Sequence, residues 1–122
     1  MTTVVDASAL LAYLQGEPGS DAVESALAER AVCGAANWSE IAQKIIAAER
    51  DWSLVAALLD SFDLQVEPVT RDDAERAADS WEPGRGMSLA DRLCLALAER
   101  LDAPVLTADT AWGTDDRIRQ IR

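Results

Sequence analysis

The run from Ser88 to Leu101, SLADRLCLALAERL, is almost entirely Leu and Ala between its charges. A helix with so wide an apolar surface must be buried on most of its circumference, which makes it a central element rather than a peripheral one. It leads directly into Ala103 to Leu106, a short apolar run of strand length.

The rest of the chain repeats this alternation. Thr2 to Val5 is a β-branched strand ending at Asp6, and Ala7 to Gln15 is a helix stopped by Gly16 and Pro18. Ser20 is placed to cap a second helix through about Arg30, Ala31 to Gly34 reads as a buried strand, and Asn37 opens a helix to about Arg50. Ser53 to Ser61 is helical and Leu64 to Val69 alternates as a strand. Thr70 caps a helix that ends before Pro83 and the Gly84-Arg85-Gly86 loop. After the Leu/Ala helix and its strand, Asp109 to Trp112 forms a turn or short helix, and Ile118 to Ile121 is a final edge strand. Strands separated by helices imply a parallel sheet covered on both faces, the α/β class. With 122 residues, 49% of them hydrophobic, residues 1–122 are expected to form one domain without staples.

Composition removes several kinds of chemistry. Histidine is absent, so catalytic triads, imidazole acids and bases, and His-ligated zinc are excluded, and any catalysis must rest on carboxylates. A net charge of -11 with a single lysine, Lys44, argues against non-specific nucleic-acid binding through a basic surface. Cys33 and Cys94 stand among apolar residues and read as core thiols of a reducing compartment. The N-terminal stretch lacks a basic region followed by an apolar span, so a cytoplasmic protein without membrane insertion is expected.

Four acids fall at strand-to-helix junctions or helix starts: Asp6, Glu40, Asp91 and Asp109. In an open parallel sheet such junctions line one edge, where ligands bind as strand order reverses. Helix capping explains the same placement, because Asn37-Trp-Ser-Glu40, Thr70-Arg-Asp-Asp73 and Ser88-Leu-Ala-Asp91 all fit the capping-box pattern. Spacing alone leaves both explanations open.

The motifs carry further information. VVDASALLAYL resembles the opening of PIN-domain toxins of the VapC type, in which an aspartate closes the first strand and a small hydroxyl residue, here Ser8, follows two positions on. GMSLADRLCLALAERLDAPVLTADTAW is similar to the stretch in which SL-x-D precedes an Ala/Leu helix and a strand ending in T-x-D, matching Asp91 and Asp109. NWSEIAQKI resembles the helix that carries the family's glutamate, matching Glu40. The resemblance implies a PIN-like three-layer fold with a mostly parallel five-stranded sheet in the order 3-2-1-4-5. It also implies an endoribonuclease dependent on Mg2+ or Mn2+, a cognate antitoxin and a homodimer. Asp6 and Asp91 are then expected as direct metal ligands, with Glu40 and Asp109 acting directly or through water.

Around these acids, Ser8 and Thr107 are candidates to hydrogen-bond the ligands, and Arg85 and Arg92 to hold phosphate. Asp115 and Asp116 read as a polar turn before the last strand. Trp38, Trp52, Trp81 and Trp112 are expected mainly as core or interface anchors, with base stacking open to one of them. Two other functions compete: a PIN-like binding module without activity, and a phosphoryl-transfer protein using Asp6 as covalent acceptor. The second lacks the Asp expected where Ser8 stands.

Overall fold

The computed structural model of the chain describes residues 1–122. Five strands, β1 (Thr3–Val5), β2 (Ala31–Gly34), β3 (Gln65–Glu67), β4 (Val105–Thr107) and β5 (Ile118–Gln120), form one sheet in the order β3-β2-β1-β4-β5. Every pairing is parallel, with Val4 standing opposite both Val32 and Val105. The helices are α1 (Ala7–Leu14), α2 (Ser20–Glu29), α3 (Ala35–Ala47), α4 (Trp52–Asp60), α5 (Arg71–Asp79) and α6 (Leu89–Arg100). A 3₁₀ turn covers Thr110–Trp112. None of these helices is long and apolar enough to cross a membrane.

Alternation along the strands divides the interior in two, since successive side chains of a strand point to opposite faces. Val4, Val32 and Val105 face α6 and join Cys94, Leu97, Ala98 and Trp112. Val5 and Cys33 face the other way, into a larger cluster with Leu10, Val23, Leu27, Ile41 and Leu59 from the first four helices. Each fully buried Leu or Ile of these clusters contributes about 1.5–3 kcal/mol. As the composition of its sequence requires, α6 packs on β1 and β2 while α3 and α5 flank it.

Three local expectations are corrected. The cap of α2 is Gly19 rather than Ser20; its φ is +93°, and a Cβ there would lie 2.6 Å from the Ile121 carbonyl oxygen, so both conformation and space require glycine. Helix α3 begins at Ala35, two residues before Asn37, and has no side-chain cap, so the Asn37–Glu40 box does not form. The Asn37 amide is engaged elsewhere, accepting from the Ala7 N–H at 3.0 Å and donating to the Ala90 carbonyl at 3.3 Å. Strand β3 stops at Glu67, because Pro68 has no N–H to continue a ladder. The Thr70–Asp73 and Ser88–Asp91 boxes both form in full.

Candidate active site

Strand β1 leads toward β2 on one side, while β4, its other neighbour, leads to β5, so the direction of winding reverses between β1 and β4. Their carboxyl ends deliver Asp6 and Thr107 to the crevice where ligands of open α/β sheets bind. Asp6 caps α1 and is only 3% exposed. One of its oxygens accepts from the Ala9 N–H at 2.8 Å and the other from the Thr107 hydroxyl at 2.7 Å, with the Ser8 hydroxyl at 2.8 and 3.0 Å from the pair. The two hydroxyls in turn accept backbone donors of the chain leaving β4: Ala108 N–H to Ser8 Oγ at 2.9 Å, and Asp109 N–H to Thr107 Oγ1 at 3.0 Å. Each hydroxyl thereby spends its one proton on Asp6, which fixes the carboxylate's orientation from the first turn of α1 and the end of β4.

Burial pushes the Asp6 carboxyl up to about 6; the hydrogen bonds from Thr107, Ala9 and Ser8 oppose this without cancelling it, and the charge of Asp91 adds to the rise. No Lys or Arg contributes to the balance. Burial likewise raises the Cys33 thiol to about 12, helped by the charges of Asp6 and Glu40. The Cys94 thiol is held well above its ordinary range by burial and then by Asp6, Cys33, Asp91 and Glu40. Both thiols are therefore protonated and inert at neutral pH. Asp6, Glu40 and Asp91 thus act on one shared region, although no three metal-binding side chains stand close enough to chelate an ion directly among themselves.

The remaining residues sort by what holds them. Asp91 accepts from the Ser88 N–H at 3.1 Å through one oxygen, and Glu40 enters half-buried from the second turn of α3. Asp109 is exposed and caps the 3₁₀ turn through the Ala111 N–H at 2.9 Å, and its charge is not among those that act on the two thiols. Arg92 donates to the Ala77 carbonyl at 2.7 Å, tying the end of α5 to the start of α6. Arg85 lies exposed on the intervening loop, 3.7 Å from Glu82. Asp115 and Asp116 form the polar turn before β5, with the Ile118 N–H bonded to the Asp115 carbonyl at 3.1 Å. The residue whose role the sequence did not reveal is Asn37: 2% exposed, it joins the starts of α1, α3 and α6, the three helices that carry Asp6, Glu40 and Asp91. Its position just after a buried strand was the available signal.

A three-layer α/β fold with a 3-2-1-4-5 sheet and the buried Asp6 at its switch point defines the class, and residues 3–114 match the PIN domain. The chain belongs to the PIN-domain family. Its named relatives are VapC proteins: it is 32% identical to VapC ribonuclease Mb2780c of Mycobacterium bovis and to ribonuclease VapC42 of Mycobacterium tuberculosis. Each alignment covers 93% of this chain and 96% of the relative. The fold is shared with a toxin-antitoxin complex from Klebsiella pneumoniae (TM-score 0.79, 16% identity, 98% of each chain covered). It is shared also with DNA-bound VapBC from Salmonella typhimurium (TM-score 0.70, 14% identity, 100% of this chain and 99% of the other).

Proposed function

We propose that the chain is a Mg2+- or Mn2+-dependent endoribonuclease, the toxin of a toxin-antitoxin pair, which hydrolyses RNA phosphodiester bonds at Asp6, Glu40 and Asp91, with Asp109 at the rim. The observation that carries the reading is Asp6 itself: a buried carboxylate, oriented by a hydroxyl of α1 and one of β4, with the charge of Asp91 acting on it and no cation to balance it. Burying an unpaired charge costs several kcal/mol, so the arrangement fits a site completed by a cation. Its near relatives are named ribonucleases, which supports RNA as substrate.

The donor set fits the ion. Carboxylate oxygens are hard ligands of the kind magnesium takes while keeping several of its waters, and Asp91 already acts on the charge of Asp6. Asp6 and Asp91 would hold it directly, Glu40 and Asp109 directly or through water. When bound, such an ion makes a water more acidic and offsets negative charge building up on the phosphate. The chain's own residues do the rest: Ser8 and Thr107 keep Asp6 in one orientation, and Asn37 holds the three helix starts in register. The antitoxin would inhibit by placing an Arg or Lys among the acids, in the cytoplasm where both are made.

The test is metal-dependent cleavage of total cellular RNA by the purified chain freed of antitoxin. Asp6→Asn and Asp91→Asn should abolish cleavage, and expression of the parent should arrest growth while the variants do not. Absence of cleavage with every divalent ion tried overturns the reading and favours the inactive binding module.

A further inference from the structure

Building on the proposed ribonuclease reading, we infer that Gln120 is a positioning residue of the metal site: by holding the turn from Asp109 to Gly113 at both ends, it sets where the fourth acid stands beside Asp6 and so how tightly the divalent ion is held. The Gln120 amide donates from Nε2 to the Asp109 carbonyl at 2.9 Å and to the Gly113 carbonyl at 2.8 Å. Both partners are acceptors, so the amide nitrogen and not its oxygen must face the turn.

The sheet puts Gln120 beside the site. It ends β5 and stands opposite Thr107, the last residue of β4. Thr107 Oγ1 donates to Asp6 at 2.7 Å and accepts from the Asp109 N–H at 3.0 Å, so a single hydroxyl joins the first acid to the backbone of the fourth. The two strand ends thereby grip both backbone groups of Asp109. Thr107 takes the N–H, and Gln120 takes the carbonyl, which also accepts from the Trp112 N–H at 3.2 Å. Gln120 is itself fixed, because the next residue, Ile121, is buried and its N–H bonds to the Thr107 carbonyl at 3.0 Å. At the far end of the turn Gly113 adopts φ +73° and ψ -155°, a conformation open to glycine alone, and there its carbonyl meets the amide.

The turn closes without Gln120. The Trp112 N–H reaches the Asp109 carbonyl, the Gly113 N–H reaches the Thr110 carbonyl at 3.1 Å, and the buried Trp112 anchors both. What Gln120 adds is the registration of that turn against β4 and Asp6. Its own oxygen is shut off from water and accepts from no group of the chain, and a buried acceptor left unpaired lowers stability. Asp109 and Gly113 are exposed, so water can take over their carbonyls once the amide is gone. An apolar side chain of the same length therefore costs the fold little, while the turn loses its tie to the sheet. Because the Asp109 carboxylate is bonded to the Ala111 N–H within the turn, it moves with the turn.

The experiment measures Mn2+ binding by calorimetry, urea unfolding in chelator, and RNA cleavage against Mn2+ concentration, all on the full chain freed of antitoxin. Gln120→Met should keep the parent's urea midpoint and raise the Mn2+ dissociation constant by roughly 10-fold, the low end of the loss that follows removal of an outer partner of a metal ligand. Cleavage should need correspondingly more Mn2+ for half its maximal rate and recover most of that rate at saturation. Gln120→Glu keeps the shape and adds a negative charge; charge alone would tighten the cation, whereas loss of both donors loosens it, so binding weaker than the parent's is expected. In an Asp109→Asn background Gln120→Met should raise the dissociation constant no further, since it acts through Asp109. Parental Mn2+ binding in both Gln120 variants, or losses that multiply with that of Asp109→Asn, overturns the inference and leaves the nuclease standing. A lowered urea midpoint with parental Mn2+ binding assigns Gln120 to the fold alone and overturns it equally. A parent that neither binds Mn2+ nor cuts RNA overturns the ribonuclease reading itself, and this inference with it.

Discussion

Asp6 concentrates the tension of the molecule in one side chain. Its carboxyl, raised from 3.8 to about 6, binds a proton more readily in the folded than in the unfolded chain. Its contribution to stability is therefore greatest below about pH 4 and declines as pH rises toward 6, by roughly 3 kcal/mol over that window. In chelator, urea unfolding of the parent and of Asp6→Asn should diverge with pH: the parent loses stability relative to the variant between pH 4 and 6, then runs parallel to it. Added magnesium should return stability to the parent and little to the variant, through binding to the folded state. A parent-to-variant difference independent of pH would mean that Asp6 carries no unbalanced buried charge. Thr107→Val tests the support of that carboxylate. It removes the donor to Asp6 and the acceptor for the Asp109 N–H while keeping shape, and should cost about 1–3 kcal/mol in the same measurement.

Among the elements, the capping boxes show how one motif can serve different ends. Asp73 closes the box of α5, and it also pairs with Arg100 at 3.1 Å, so although its burial opposes ionisation, the bonds from Arg100 and Thr70 hold its carboxyl below the usual range. Asp73→Ala should therefore cost more than the about 1 kcal/mol of a lost cap. Asp51, the exposed cap of α4 bonded to the Leu54 N–H, is the cleaner control. Asp91 makes the same box as Asp73, yet no Arg pairs with it. Asp91→Asn should unfold within about 1 kcal/mol of the parent and still lose magnesium-dependent stabilisation and cleavage; equal loss of stabilisation in Asp51→Ala would return Asp91 to the role of a cap. Asn37→Ala belongs at this scale too, since it frees the Ala7 N–H and the Ala90 carbonyl between three helices. It should cost about 1–3 kcal/mol and lower kcat with KM little changed, because the acids lose their common register.

For the molecule as a whole, charge and winding decide what can approach the acids. With 22 acidic against 11 basic residues, the basic segment of the proposed antitoxin would be attracted at long range, so the affinity of that complex should fall steeply with salt. Replacing the inserted antitoxin Arg by Ala should restore cleavage, and inhibition unaffected by salt would reject the electrostatic account. Much of the architecture was legible in the chain alone. The alternation of β-branched runs with Leu/Ala segments specified an α/β sheet, because local propensity and apolar periodicity reside in short stretches, and the PIN-like motifs carried the strand order. Other features were not legible: that Asn37 leaves its expected cap to join three helices, that Gly19 displaces Ser20 against Ile121, and that Asp109 turns to its own 3₁₀ turn while Trp81 stands out in water. The placements of Asn37 and Gly19 depend on groups 30 to 102 residues apart in the chain competing for the same donors and the same space, and that competition exists only once the sheet has wound and brought them together.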